Sequence, residues 1–525
     1  HTPYEELVYG KKKLIMEQHM AGDVDNLAHL LKQISSQDRH GSDITLTSLK
    51  KALIEICAAF PIYRTYVHRD PPDPADRLYI TRAIQKARER NPALQHELSF
   101  MERFLLLRFG DYLQEEERKA WLHFLMRFQQ LTAPLMAKGF EDTTLYVYNR
   151  LLSLNEVGGE PQRFGTTLEE WHRFNRERAA RWPHALNATA THDTKRGEDV
   201  RARLNVLSEI PDTWEKQLRL WSRLNRRKKR MVRGRPVPDR NDEYFLYQTL
   251  LGALPFRAEE YPSFQERLKA YIVKAVREAK VYTAWLKPDT AYEEAFLAFI
   301  DAILSPSPRN RFWPALLSFH RQIAFYGIWN GLSQTLLKLT APGVPDFYQG
   351  TEFWDLNLVD PDNRRPVDFD RRKAVLQEIK GKGPDQRRGL LAELLQTRED
   401  GRIKLFLIGK GLEVRQSRPA LFARGAYIPV EVEGRWREHI IAFARHWQEE
   451  WAISVAPRFL TSLIPLGTLP LGIPVWGDTH LRLPAGAPTL WQEAFSTQPI
   501  RGASLLVGEI LQHFPVALLV NKERG

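Results

Sequence analysis

The chain has 525 residues, 43% hydrophobic and 27% charged, too many for one ordinary core, so several folded domains are expected rather than disorder. Its formal charge of +12 admits a polyanion partner, but the densest basic run, Asn225 to Arg230 followed by Arg233 and Arg235, has no interleaved aromatics for base stacking, so a solvated loop between helices and no nucleic acid are expected. No stretch approaches the ~20 apolar residues that span a bilayer, residues 1–7 carry no signal pattern, and the single cysteine, Cys57, forms neither an internal disulfide nor a zinc cluster, so membrane, disulfide-stapled and zinc-dependent classes are excluded and a cytoplasmic protein is expected.

Residues 1–137 read as helix. Tyr4-Glu5-Glu6 opens helical at once, with no methionine before it, as the middle of a longer protein would. Leu46, Leu49, Leu53 and Ile56 recur at helical spacing, and so do Trp121, Phe124, Leu125, Phe128 and Leu131. Between them Pro71-Pro72-Asp73-Pro74 breaks the block and predicts a new helix near Asp76.

The texture changes over 138–209. Tyr146 and Tyr148 alternate, and Gly158-Gly159-Glu160-Pro161 marks a turn. A small, uncharged run over 185–191 ends in His192-Asp193-Thr194-Lys195-Arg196, just ahead of a helix expected from Glu198. Strand, polar corner and helix make a βα unit, and in a (β/α)8 barrel such a corner faces the active site. A hydrogen-bonded turn in which Asp193 caps the helix explains the same dipeptide.

Long amphipathic helices return over 210–339, with Phe264, Leu268, Tyr271, Ile272 and Ala275 on one face. Over 340–399 a short apolar segment at Ala341-Pro342-Gly343-Val344 leads into a polar loop from Thr351 to about Asp370, a length that usually signals function or disorder. From 400 onward the period becomes two: 404–408, 420–423, 440–444 and 514–520 read as strands of an antiparallel β domain.

Three motifs, in order, carry a resemblance. Asn187-Ala188-Thr189-Ala190-Thr191-His192-Asp193-Thr194-Lys195-Arg196-Gly197-Glu198-Asp199 closely resembles a stretch of the maltooligosyl trehalose synthases, a branch of the α-amylase superfamily, glycoside hydrolase family 13. Ala341-Pro342-Gly343-Val344-Pro345-Asp346-Phe347-Tyr348-Gln349-Gly350-Thr351-Glu352 looks like that superfamily's eighth barrel strand, and Asp360-Pro361-Asp362-Asn363-Arg364-Arg365-Pro366-Val367-Asp368 like the trehalose-forming branch. The resemblance implies an α/β fold, the C-terminal part of a (β/α)8 barrel with large helical insertions plus a C-terminal antiparallel β-sandwich. On that basis 1–137 is a helical insertion, 138–209 a barrel portion with strand seven, 210–339 further insertion and barrel helices, 340–399 strand eight with its loop, and 400–525 the β domain.

It also implies an activity. The reducing-end α-1,4 linkage of a maltooligosaccharide becomes α,α-1,1 by intramolecular transglycosylation, with no cofactor or metal. A maltooligosyl trehalose trehalohydrolase is the expected metabolic neighbour. Asp193 is then the carboxylate that stabilises the transition state, and His192 donates to a sugar hydroxyl beside it. Lys195, Arg196, Lys138, Tyr348 and Arg364 are the remaining candidate substrate contacts. For four of these a structural role competes: Lys195 and Arg196 as charges at a helix start, Lys138 as a surface lysine, Arg364 as the partner of Asp360.

The nucleophilic aspartate of the superfamily lies in a Gly-x-Arg-x-Asp pattern, and none precedes His192 here. The nucleophile and the acid are therefore expected outside this chain, which alone is expected to be inactive without the missing N-terminal half. Two alternatives stay open: another α-glucan hydrolase or transglycosylase, and a non-catalytic glucan-binding or polyanion-binding module.

Overall fold

The computed structural model describes residues 2–69, 71–108 and 114–521. Two units divide the chain: His1–Asn149 with Lys274–Asp289, and Arg150–Val273 with Thr290–Gly525.

The first unit is helical, built from α1 (Tyr4–Gln18), α2 (Ala21–Gln37), α3 (Leu46–Ala59), α4 (Pro74–Arg90), α5 (Gln95–Leu105) and α6 (Glu115–Met136). The apolar spacing explains how they pack. Leu49, Leu53 and Ile56 of α3 are buried, as are Trp121, Phe124, Leu125, Phe128 and Leu131 of α6, each worth about 1.5–3 kcal/mol relative to exposure. Phe104 stacks on Trp121 at 4.2 Å between centroids. Thr45 caps α3 by accepting from the Ser48 N–H at 3.2 Å. The proline break sets the start of α4, with Pro74 in its first turn; Asp70, just before that break, lies outside the described residues. Tyr146 and Tyr148 are buried in the core. Cys57 is buried and its thiol is pushed up to about 12, so it is inert.

The second unit mixes helix and sheet. In chain order come α7 (Leu168–Arg181), β1 (Leu186–Asn187), α8 (Glu198–Asn205), α9 (Pro211–Asn225), β2 (Arg230–Val232), β3 (Arg235–Val237) and α10 (Arg240–Ala253). Then come α11 (Tyr261–Ala279), which begins in this unit, α12 (Thr290–Leu304), α13 (Phe312–Thr340), β4 (Val344–Pro345), α14 (Phe369–Gly381), α15 (Arg387–Gln396), α16 (Arg402–Ser417) and α17 (Pro419–Arg424).

The basic run is not a bare loop. The run closes α9 at Asn225, makes a 3-10 turn over Arg226–Lys228 and ends at Arg230 in the β2–β3 hairpin, whose turn residues Arg233 and Gly234 both take positive φ, 48° and 76°, as a two-residue turn of matching twist requires. Two of its cations are anchors: Lys228 donates to Asn310 at 2.6 Å and Lys229 to Glu243 at 2.8 Å.

The C-terminal region holds two antiparallel sheets. A six-stranded sheet runs β11-β10-β13-β8-β7-β5 and a three-stranded one β12-β9-β6, using β5 (Ala426–Pro429), β6 (Glu431–Glu433), β7 (Ile440–Trp447), β8 (Glu450–Pro457), β9 (His480–Arg482), β10 (Leu490–Glu493), β11 (Pro499–Arg501), β12 (Ser504–Leu506) and β13 (Ala517–Asn521). The expected strands at 440–444 and 514–520 appear as β7 and β13. Those expected at 404–408 and 420–423 are instead helix, in α16 and α17. The reason is burial on every side: Ile403 through Ile408 are all buried, and a continuous apolar run fits a buried helix as well as a strand. Among the described residues no helix is long and apolar enough to cross a membrane.

Candidate functional site

Two short strands set the site. β1 and β4 pair in parallel, Leu186 opposite Val344 and Asn187 opposite Pro345. The ladder is extended by the Val344 N–H to Ala185 O at 2.9 Å and the Asp346 N–H to Asn187 O at 3.1 Å. Gly343 permits this approach: its φ is +118°, and a Cβ there would lie 2.5 Å from Ala185 O, so a side chain is excluded. Because the strands run the same way, the His192-Asp193 corner and the segment 346–350 leave from the same end of the pair.

His192 and Asp193 form a turn and are exposed. The Asp193 N–H donates to Thr191 Oγ1 at 3.2 Å, and the Thr194 hydroxyl donates to Thr191 O at 2.9 Å. Helix α8 starts after Gly197 with no side-chain cap, so Asp193 is not a capping residue. Asn363 Nδ2 donates to His192 O at 2.9 Å, and the Tyr348 hydroxyl donates to Asn363 O at 3.2 Å. The three sequence motifs thus meet in one chain of hydrogen bonds, Tyr348 to Asn363 to His192.

The other candidates are placed differently. Arg196 is fully buried, donating to Asn155 O at 3.3 Å and Tyr271 Oη at 3.2 Å, so it braces the corner from within. Lys195 is also buried, with its backbone N–H held by Glu156 at 2.8 Å. Arg364 pairs with Asp360 and is more than half exposed. Arg365 donates to Asn357 Oδ1 at 2.6 Å. Lys138 belongs to the first unit, where it pairs with Asp142 at 2.7 Å across one turn.

Behind the corner lies a buried ionic cluster that sequence reasoning missed. Lys404 of α16, with no exposed side-chain surface, donates to Glu198 Oε1 and Asp199 Oδ2, both at 2.6 Å. Lys338 of α13 donates to Thr189 Oγ1 at 2.8 Å and Glu198 Oε2 at 3.3 Å, and the Thr189 hydroxyl donates to Glu198. Asp355 joins them by backbone: its carboxylate accepts the Glu198 N–H at 3.2 Å, while its own N–H donates to Asp199 Oδ2 at 2.7 Å. The Gly197 N–H reaches Asn357 O at 2.8 Å, and a Cβ on Gly197 would meet Asp355 O at 2.4 Å. The loop after β4 is therefore pinned to the corner after β1 on charged groups without solvent.

The charges in the cluster are unequal. Burial disfavours the Glu198 anion, but Lys404 and then Lys338 outweigh it and hold its carboxyl at about 2. Burial, then Glu198 and Asp199, push Asp355 up to about 6. The folded chain thus keeps the Asp355 proton from pH 6 down to the usual carboxylate range, where the unfolded chain has released it. Stability from this group rises as pH falls through that window, with a slope of up to about 1.4 kcal/mol per pH unit. Glu198 acts oppositely, its contribution being lost as pH falls from the usual glutamate range toward 2. Urea unfolding of wild type and Asp355→Asn between pH 6.5 and 4.5 checks this: the wild type is expected to gain on the variant as pH falls, and parallel curves would refute it.

No family model matches the chain. A Mycobacterium tuberculosis protein provisionally named maltooligosyl trehalose synthase is 35% identical over 395 residues, 75% of this chain and 45% of that protein. The maltooligosyltrehalose synthase structure from Arthrobacter ramosus matches 99% of this chain and 59% of its own, at 32% identity and a TM-score of 0.79. A Sulfolobus tokodaii chain described as a hypothetical maltooligosyl trehalose synthase matches 99% of this chain and 58% of its own, at 28% identity and a TM-score of 0.70. This chain spans about half the length of the curated relatives it matches.

Proposed function

We propose, from the premise that this chain is a homologue of the maltooligosyl trehalose synthases in sequence and fold, that it supplies part of the active site of such an enzyme. β1 and β4 are read as the seventh and eighth strands of a (β/α)8 barrel, with the first unit and the helices between α8 and α13 as insertions. The observation that carries the reading is the parallel β1–β4 pair, which sends the exposed His192-Asp193 corner and the Tyr348 segment out of one end, where barrel enzymes place their chemistry. Leu186 and Val344 on these strands are exposed, as expected where further barrel strands belong.

The reaction is a retaining transglycosylation. One carboxylate attacks the anomeric carbon at the reducing-end linkage, and a second protonates the leaving glucose. The glucose turns over and returns through its anomeric hydroxyl, making an α,α-1,1 bond within the same molecule. Asp193 binds ring hydroxyls of the donor sugar in its oxocarbenium-like geometry, a contact that strengthens as charge develops, and the His192 imidazole donates beside it. The nucleophile and the acid come from sequence outside this chain. The substrate is an α-1,4-linked maltooligosaccharide, the location is the cytoplasm, and the product suits a trehalohydrolase that releases free trehalose.

Product analysis with maltopentaose tests the reading. The chain alone is expected to give no change. The chain joined to the N-terminal part of a relative is expected to give a non-reducing oligosaccharide of unchanged length. Shorter reducing sugars as the main product would point to a hydrolase, and synthase activity from the chain alone would overturn the division of the site.

A further inference from the structure

The fold sorts the cations of the basic run after α9 in two directions. The lysines turn inward. Lys228 donates to Asn310 at 2.6 Å and Lys229 to the buried Glu243 at 2.8 Å, whose carboxylate also accepts from the Tyr247 hydroxyl at 2.7 Å. The arginines turn outward: Arg226, Arg227 and Arg230 are exposed. Asn310 is itself fixed, donating to Ile303 O and Ser305 O, both at 2.7 Å, so the Lys228 bond holds the loop after α12 against the turn after α9. That loop presents Arg309 and Arg311, both exposed, on either side of Asn310. Two segments joined by a contact 82 residues apart thus make one arginine face.

Two carboxylates of the region are used inside the fold, Glu243 on Lys229 and Tyr247, and Asp242 on the Tyr292 hydroxyl. Among the described residues none of Arg226, Arg227, Arg230, Arg309 and Arg311 forms an ion pair within the chain. Such a face selects an anionic partner, and its composition says which kind. A guanidinium is weakly hydrated and forks onto a carboxylate through two parallel bonds. Arginine and methionine are enriched in protein interfaces, and lysine is depleted. Here Met231, 65% exposed on β2 opposite Pro236 of β3, stands among the arginines, while the lysines are withdrawn. Residues 226–237 carry no aromatic ring, so nucleic-acid bases have nothing to stack on, and a bilayer surface would lack the bulky apolar anchors it usually takes up.

We propose that this arginine face is a docking surface for an acidic segment of another protein. The test titrates the 525-residue chain into fluorescent poly-L-glutamate and reads anisotropy. Wild type is compared with Arg226→Ser/Arg227→Ser/Arg230→Ser and with Arg309→Ser/Arg311→Ser. The wild type is expected to bind, and to weaken steeply as sodium chloride is added. The triple variant is expected to bind about tenfold more weakly and the double variant about threefold, since each exposed pair contributes little alone. All five side chains are exposed, so melting temperatures should match the wild type; if the triple variant melts earlier, the double variant decides. Poly-L-glutamate binding that neither variant weakens overturns the proposal, and so does a wild type that does not bind it. Tighter binding of oligothymidylate, or of phosphatidylglycerol vesicles, than of poly-L-glutamate would give the face to nucleic acid or lipid and overturn it as well.

Discussion

Lys404→Met is expected to destabilise the second unit by about 3–5 kcal/mol, the usual cost of breaking a buried ion pair from one side. The size follows from what is left behind. Lys404 is fully buried between Glu198 and Asp199, and methionine fills its volume without its charge, so two carboxylates face each other with only Lys338 at hand. At least one must then take up a proton at neutral pH. A triple variant, Lys404→Met with Glu198→Gln and Asp199→Asn, should recover roughly half the loss, because the penalty belongs to the orphaned charges rather than to the missing bonds. Hydrogen exchange at the Glu198 and Asp355 amides reports the unit directly, since both donate into the cluster. A single-variant loss below about 1 kcal/mol would mean that water or side-chain movement relieves the site, contrary to the buried geometry.

The same cluster shows where sequence reasoning stops. The helical block of the first unit is legible because Leu49, Leu53 and Ile56 repeat at the helix period and are buried. The corner is legible because a small-residue run ends in His192-Asp193 and a helix begins at Glu198. Its neighbours are not legible, for the contact between Lys404 and Glu198 joins residues 206 apart, and no local period marks either end. Lys404 sits in a run whose apolar flanks suggested a strand. Only the lysine near the start of 403–408 offers a signal, a charge that a buried run does not hold without a partner. Arg196 errs the other way: its place after the motif suggested a sugar contact, while its guanidinium is used on Asn155 and Tyr271. Short motifs identify which groups converge. They do not say which of those groups face solvent.

In the enzyme completed with the N-terminal part of a relative, Asp193→Asn is expected to lower kcat by about 10²–10³, with KM changed much less, the scale seen when one preorganised electrostatic contact to a transition state is removed. The substitution is nearly isosteric and sits at an exposed turn held by the Thr191 hydroxyl and by Asn363, so the corner itself should persist. What changes is the carboxylate charge, which matters most when the anomeric centre becomes positive. His192→Gln should cost less, since it alters one donor and no charge. Asn363→Ala separates position from chemistry: it releases His192 O while keeping the backbone carbonyl that Tyr348 donates to, touches neither reactive group, and should raise KM together with a smaller fall in kcat. If Asp193→Asn kept full kcat while Asn363→Ala abolished it, the corner would be a structural hinge, and the stabilising carboxylate would have to be sought on another strand end.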